Sequence, residues 1–241
     1  MAARGEKILT LKVFRFDPEE GRDPHYDRFA VEPRPGMNLL EALMEIAERQ
    51  DPSLAFRHSC RGAVCGSCAV SIQGQPRLAC QTQLKDLRGE VLVAPLPHLP
   101  VIKDLVVDME PFYQRFDEIM PYLIRRTPPP EKEFPQSPRE RRLLDEVTDC
   151  VWCGACYVSC PIVRQGPTYL GPAALLQAYR FAADTRDQGG KQRLRLLYRD
   201  EGVWRCHTVF NCVEVCPKKL NPTRVIQALK RKALFGRFKL W

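Results

Sequence analysis

The 241-residue sequence predicts an α+β chain, with a small sheet domain at the front and an all-helical domain behind it. Three observations lead there. Short β-patterned runs flank one amphipathic helix up to residue 94, helical periodicity opened repeatedly by proline follows residue 138, and eleven cysteines gather into three groups. With 44% hydrophobic residues, a chain of this length can supply two modest cores.

Residues 7–16 and 26–31 read as strands, joined by a polar turn that holds Asp17, Pro18, Gly21 and Asp23. Leu39, Leu40, Leu43 and Ile46 then recur at helical spacing behind Asn38, a residue suited to cap a helix that runs to about Arg49. Beyond a cysteine-bearing loop, residues 69–72 and 90–94 read as two more short strands. The domain boundary is placed near residue 105, giving domains 1–105 and 106–241, with the apolar run 101–109 expected to pack against the second half. Pro128, Pro129, Pro130, Pro135 and Pro138 exclude a regular helix between residues 125 and 138. Helices are expected at 138–147, 172–183, 188–199 and 222–235, three of them opened by proline near the first turn.

The opening MAARGEKILTLKVF contains no apolar leader core, which disfavours secretion and, with it, disulfides. An odd number of cysteines also leaves any complete pairing scheme with one thiol over, so metal ligation leads. No apolar run reaches the roughly 18–20 residues that span a bilayer. The formal net charge of +8 is concentrated at the end, where Lys218, Lys219, Arg224, Lys230, Arg231, Lys232, Arg237 and Lys239 occur without an acid. Val225, Leu229 and Ala233 share a face of this helix, and the charges crowd its other side. A solvated helix end, an anionic membrane surface and an acidic partner all fit that pattern; nucleic acid is not expected as a partner.

Cys60, Cys65 and Cys68 follow C-x4-C-x2-C, with Cys80 returning from a separate element, the plant-type ferredoxin arrangement for a 2Fe-2S cluster. Gly62 and Gly66 are expected to let backbone amides turn toward the sulfurs. Zinc is the competing reading, and the spacing suits common zinc sites poorly. The first domain is therefore expected to be a plant-type ferredoxin (β-grasp) domain.

Cys150, Cys153, Cys156 and Cys160 followed by Pro161 reproduce C-x2-C-x2-C-x3-C-P, the bacterial ferredoxin run whose fourth cysteine crosses to the other cluster. The partner run has Cys206, Val209 where a cysteine would stand, then Cys212, Cys216 and Pro217. By the crossing rule, Cys150, Cys153, Cys156 and Cys216 form a 4Fe-4S set. Cys160, Cys206 and Cys212 form a three-thiolate set facing Val209, which cannot ligate iron, so a 3Fe-4S cluster is expected there. A 4Fe-4S cluster with an unusual fourth ligand and structural zinc are the alternatives. The second domain reads as an all-α bacterial-ferredoxin-like domain. No hydrolytic triad, phosphate loop or nucleotide fingerprint accompanies these sets, so no catalytic residue is assigned.

At HSCRGAVCGSCAVSIQG, CVWCGACYVSCP, YLGPAALLQAYRF and RCHTVFNCVEVCPKKLNP the sequence resembles the iron-sulfur subunit of succinate dehydrogenase and its sister fumarate reductase, over almost its whole length. The resemblance implies a partner flavoprotein whose FAD oxidises succinate and a membrane anchor, with or without haem, where quinone is reduced. It implies electron transfer through three clusters and a peripheral position on the cytoplasmic face of a prokaryotic membrane. Fumarate reductase is the alternative direction, and service to another flavin dehydrogenase a further one. The family's quinone pocket carries over onto Pro161, Ile162, His207 and Val209. Cys68 is retained where some relatives have aspartate. Many ubiquinone-reducing relatives have a small hydroxyl residue after Cys-Pro and a tryptophan soon after. Here Ile162, Val163, Arg164 and Gln165 stand there, which points to menaquinone or a differently built site.

Overall fold

The computed structural model describes residues 8–166 and 168–235. Its contacts divide the chain into two units: the described residues through Met109 together with Val151–Ala155, and Glu110–Cys150 together with the chain from Cys156 onward.

In the first unit β1 (Leu9–Arg15) pairs antiparallel with β2 (His25–Val31), and helix α1 (Leu39–Arg49) follows. Strands β3 (Ala69–Ile72), β4 (Gln75–Leu78) and β5 (Val91–Ala94) complete a mixed sheet of order β2-β1-β5-β3-β4, in which only the β1–β5 pair is parallel. Alternation decides which side is buried: Leu11 and Val13 of β1 and Val91 and Val93 of β5 have no exposure. Leu39, Leu40, Leu43 and Ile46 of α1 are likewise buried. Asn38 starts α1 with a capping box, its Oδ1 accepting the Glu41 N–H at 3.1 Å while its own N–H donates to Glu41 Oε2 at 2.8 Å. Such a cap contributes about 1 kcal/mol.

The expected strands at 69–72 and 90–94 and the helix to Arg49 are present, while Lys7 of the first expected strand lies outside the described residues. Two features differ from expectation. β4 is a strand that the sequence reading does not include; it carries Pro76 and lies at the sheet edge, where a proline is tolerated. Residues 101–109, expected to pack with the second half, belong instead to the first unit as the hairpin β6 (Val101–Lys103) and β7 (Val106–Val107) and the residues after it. A buried carboxylate explains why. Asp104, 1% exposed, accepts hydrogen bonds from Arg15 Nε at 3.1 Å, the Phe16 N–H at 2.9 Å and the Ala55 N–H at 2.8 Å. These bonds tie the hairpin turn to the sheet, since a buried charge must be paired.

The second unit is helical among its described residues: α2 (Glu110–Asp117), α3 (Pro138–Thr148), α4 (Ala155–Val158, whose first residue groups with the first unit), α5 (Pro161–Gln165), α6 (Gly171–Ala183), α7 (Gly190–Leu197), α8 (Asn211–Glu214) and α9 (Pro222–Phe235). Residues 125–137 contain no helix, as their prolines require. α6 is buried over most of its length and packs against α2, α3, α7 and α9. A fully buried ion pair fixes one end of the bundle. Arg193 bonds Asp187 at 2.9 Å and donates to the carbonyls of Ile119, Met120 and Tyr122. Asp187 in turn accepts the N–H groups of Ile124 and Gly189, so residues 119–124 are held to the start of α7.

Candidate metal centres

The loop from Cys60 to Cys68 turns its backbone onto a sulfur. The N–H groups of Gly62, Val64 and Cys65 donate to Cys60 Sγ at 3.4, 3.3 and 3.3 Å. Left-handed backbone at Arg61, Ala63 and Gly66 produces this, and Gly62, expected with Gly66 to let amides turn toward the sulfurs, is itself one of the donors. Successive amides arranged in this way form an anion-binding nest. Gly66 is required for another reason as well: a Cβ there would collide with the Val151 carbonyl and lie 3.1 Å from Cys153 Cβ, so only a glycine admits this approach.

Cys60 and Cys65 are exposed, whereas Cys68 and Cys80 are buried. Cys80 arrives on the short 3-10 turn Ala79–Gln81, which is anchored where the Ala79 N–H donates to the Cys68 carbonyl at 3.0 Å. Burial opposes ionisation of Cys65, but the Ser67 hydroxyl, 3.0 Å from its sulfur, and further hydrogen bonds from the Cys60–Ser67 loop outweigh it and bring the thiol down to about 6. Burial pushes Cys68 up to about 12, with the neighbouring Cys80 and Cys65 thiols adding to it. Ser67 was not singled out from sequence, although its place between two ligand candidates could have marked it.

In the second expected set, Cys150, Cys156 and Cys216 belong to the helical unit, and Cys153 lies on the segment Val151–Ala155 grouped with the sheet unit. Cys216 Sγ accepts the Leu220 N–H at 3.4 Å.

The third set comes from three separate segments of the helical unit. Cys160 stands immediately before α5, Cys206 follows the turn Val203–Arg205, and Cys212 lies in α8. Burial raises the Cys160 and Cys212 thiols, neighbouring thiols add to it, and Cys160, Cys206 and Cys212 all line one cavity. Tyr169, 1% exposed, turns toward the same group, and burial followed by these thiols pushes its hydroxyl far above its ordinary range. Pro161, Ile162, His207 and Val209 all line the cavity that the three thiols line. Val209 is 49% exposed and His207 is also exposed, so neither is a core residue.

Helix α9 holds this site from one face. Thr223 Oγ1 lies 3.4 Å from Cys212 Sγ, Gln227 donates to Thr208 Oγ1 at 2.9 Å, and Lys230 Nζ donates to the Cys206 carbonyl at 2.8 Å. Lys230 is one of the charges that the sequence sets on the polar side of this helix, yet its ammonium is turned to the Cys206 carbonyl. Arg237 and Lys239 of the basic tail lie outside the described residues. Among the described residues, no group of three or more His, Cys, Asp or Glu side chains closes around a single metal ion, and no helix is long and apolar enough to cross a membrane.

Thiols gathered in sets, with N–H and hydroxyl donors aimed at their sulfurs, are the donor chemistry that iron-sulfur ligation needs. A sheet unit with a plant-type cysteine loop and a helical unit with the doubled bacterial run define a multi-cluster iron-sulfur protein. Residues 10–114 match the 2Fe-2S iron-sulfur cluster binding domain, and residues 146–220 match the 4Fe-4S dicluster domain. The chain is 44% identical over 225 residues to the succinate dehydrogenase iron-sulfur subunit of Paracoccus denitrificans, covering 92% of this chain and 87% of that protein. It is 42% identical over 235 residues to the mitochondrial succinate dehydrogenase [ubiquinone] iron-sulfur subunit 1 of Oryza sativa subsp. japonica, covering 95% and 84%. Its fold is similar to that of a chain in the Mycobacterium smegmatis Sdh1 complex in the apo form, with a TM-score of 0.84 at 24% identity, covering 98% and 99%. The chain belongs to the succinate dehydrogenase iron-sulfur subunit family and is a component of that enzyme complex.

Proposed function

We propose that this subunit carries electrons from a flavoprotein to a membrane quinone through three clusters. Cys60, Cys65, Cys68 and Cys80 would hold a 2Fe-2S cluster, Cys150, Cys153, Cys156 and Cys216 a 4Fe-4S cluster, and Cys160, Cys206 and Cys212 a 3Fe-4S cluster. When bound, these clusters supply one-electron transfer between FAD in the partner flavoprotein and quinone at the anchor. The observation that carries the reading is the third site: three thiols from separate segments come together, and Val209, which has no donor atom, lines the cavity beside them.

The chain's own residues prepare the three sites. Amides of Gly62, Val64 and Cys65 offset negative charge at Cys60, the Leu220 amide does so at Cys216, and Thr223 faces Cys212. Pro161, Ile162, His207 and Val209 border the proposed quinone pocket, where an exposed imidazole is placed to hydrogen-bond a quinone oxygen or convey a proton. Ile162 and the residues after it favour menaquinone or a differently built site, although the rice relative bears ubiquinone in its name. Quinone extracted from the purified complex decides this: menaquinone supports the reading, and ubiquinone alone removes it. Attachment to the cytoplasmic face of a prokaryotic membrane is proposed to run through an anchor subunit, with the basic end of α9 toward the anchor or head groups.

Low-temperature EPR of the purified complex tests the whole reading. We expect a 3Fe-4S signal when oxidised, a 2Fe-2S signal that succinate elicits, and a third cluster reduced under stronger conditions. Zinc in metal analysis with no iron signal would overturn it. A chain that fumarate reoxidises faster than succinate reduces it would reverse the direction.

A further inference from the structure

Thr223, Gln227 and Lys230 recur at the i, i+4, i+7 spacing that lines one helix face, and all three contact the segment from Cys206 to Cys212. Thr223 touches sulfur itself. It lies in the first turn of α9, is 3% exposed, and places its hydroxyl 3.4 Å from Cys212 Sγ. A thiolate bound to iron has no proton to give, so in the loaded protein the hydroxyl must be the donor. Hydrogen bonds to ligand sulfur favour the more negative, reduced state of a cluster and so raise its potential.

We infer that Thr223 is a positioning residue that holds Cys212 in place and raises the reduction potential of the third cluster. This rests on the reading that Cys160, Cys206 and Cys212 hold an iron-sulfur cluster. The donor comes from a helix outside the cysteine motif, so the packing of α9 and the redox poise of the site are linked through one bond.

The test is an EPR-monitored redox titration of the assembled complex carrying Thr223→Val, which keeps the shape and removes the hydroxyl, and Thr223→Ser, which restores it. The expected result is a more negative midpoint for the third cluster in T223V, wild-type behaviour in T223S, and unchanged midpoints at the other two sites. If T223V loses the third signal while T223S keeps it at the wild-type midpoint, the positioning role is supported. An unchanged midpoint in T223V, a shift at all three sites, or loss of the third signal in both variants overturns the inference. The wild-type spectrum separately reports the cluster reading: with no iron signal at the third site, it is that reading which fails.

Discussion

Cys60, Cys65 and Cys68 share one short loop whose own backbone points N–H groups at sulfur, whereas Cys160, Cys206 and Cys212 are gathered from segments up to 52 residues apart and steadied by side chains of α9. The first arrangement is local apart from Cys80, which the Ala79 N–H ties to the Cys68 carbonyl, so most of its geometry travels with the loop. The second exists only when the helical unit is packed. Sites built from sequence-adjacent ligands should therefore tolerate distant damage, and sites built across a bundle should report it.

Breaking the bundle gives the largest expected effect. Arg193→Met leaves Asp187 charged and buried, both side chains having no exposure, and removing one partner of such a pair costs about 3–5 kcal/mol. Denaturant unfolding of the complex should show the third-site EPR signal lost well before the first-site one; simultaneous loss would erase the contrast. Gly66→Ala should do the reverse. Left-handed backbone costs a non-glycine residue about 1–2 kcal/mol, and the added Cβ would collide with the Val151 carbonyl. The first-site signal should weaken or change shape while the third-site signal stays.

A pH dependence sharpens the same division. Burial works against the Asp184 carboxylate, but hydrogen bonds from the Arg186 side chain and N–H, with the Arg186 charge, hold it below its usual value of 3.8. A depressed carboxylate contributes stability that is full above its unfolded pKa and is lost as pH falls through its folded one. Asp184→Asn should therefore destabilise the helical unit at neutral pH by an amount that shrinks in acid, measured as a thermal midpoint at several pH values. The smallest effect is expected at Ser67. Ser67→Ala removes the hydroxyl from Cys65 and should make the first-site midpoint more negative without moving the third.

The same contrast governs what the sequence reveals. Alternation exposed β1 and β2, and Asn38 marked the start of α1, because those signals are local. Cysteine spacing nominated the third set only because a crossing rule supplies a long-range pairing; the residues that hold it, Thr223, Gln227 and Tyr169, carry no local mark. Lys230 shows the limit most plainly. Its neighbours Arg231 and Lys232 make it look like part of a charged surface, yet its ammonium reaches a carbonyl 24 residues back along the chain. Residues 101–109 are fixed in the same way, since the Asp104 partners Arg15, Phe16 and Ala55 are far away in sequence. β4 carries Pro76, which suits an edge strand and not a central one, and edge position is a property of the finished sheet.

On the proposed reading, the third site has three thiolates because Val209 stands where a fourth would be. Val209→Cys in the assembled complex, examined by EPR in the oxidised state, tests it most directly. The oxidised-state 3Fe-4S signal should disappear as a fourth thiolate completes a 4Fe-4S cluster, with the first-site signal unchanged. An undiminished 3Fe-4S signal in that variant would contradict it.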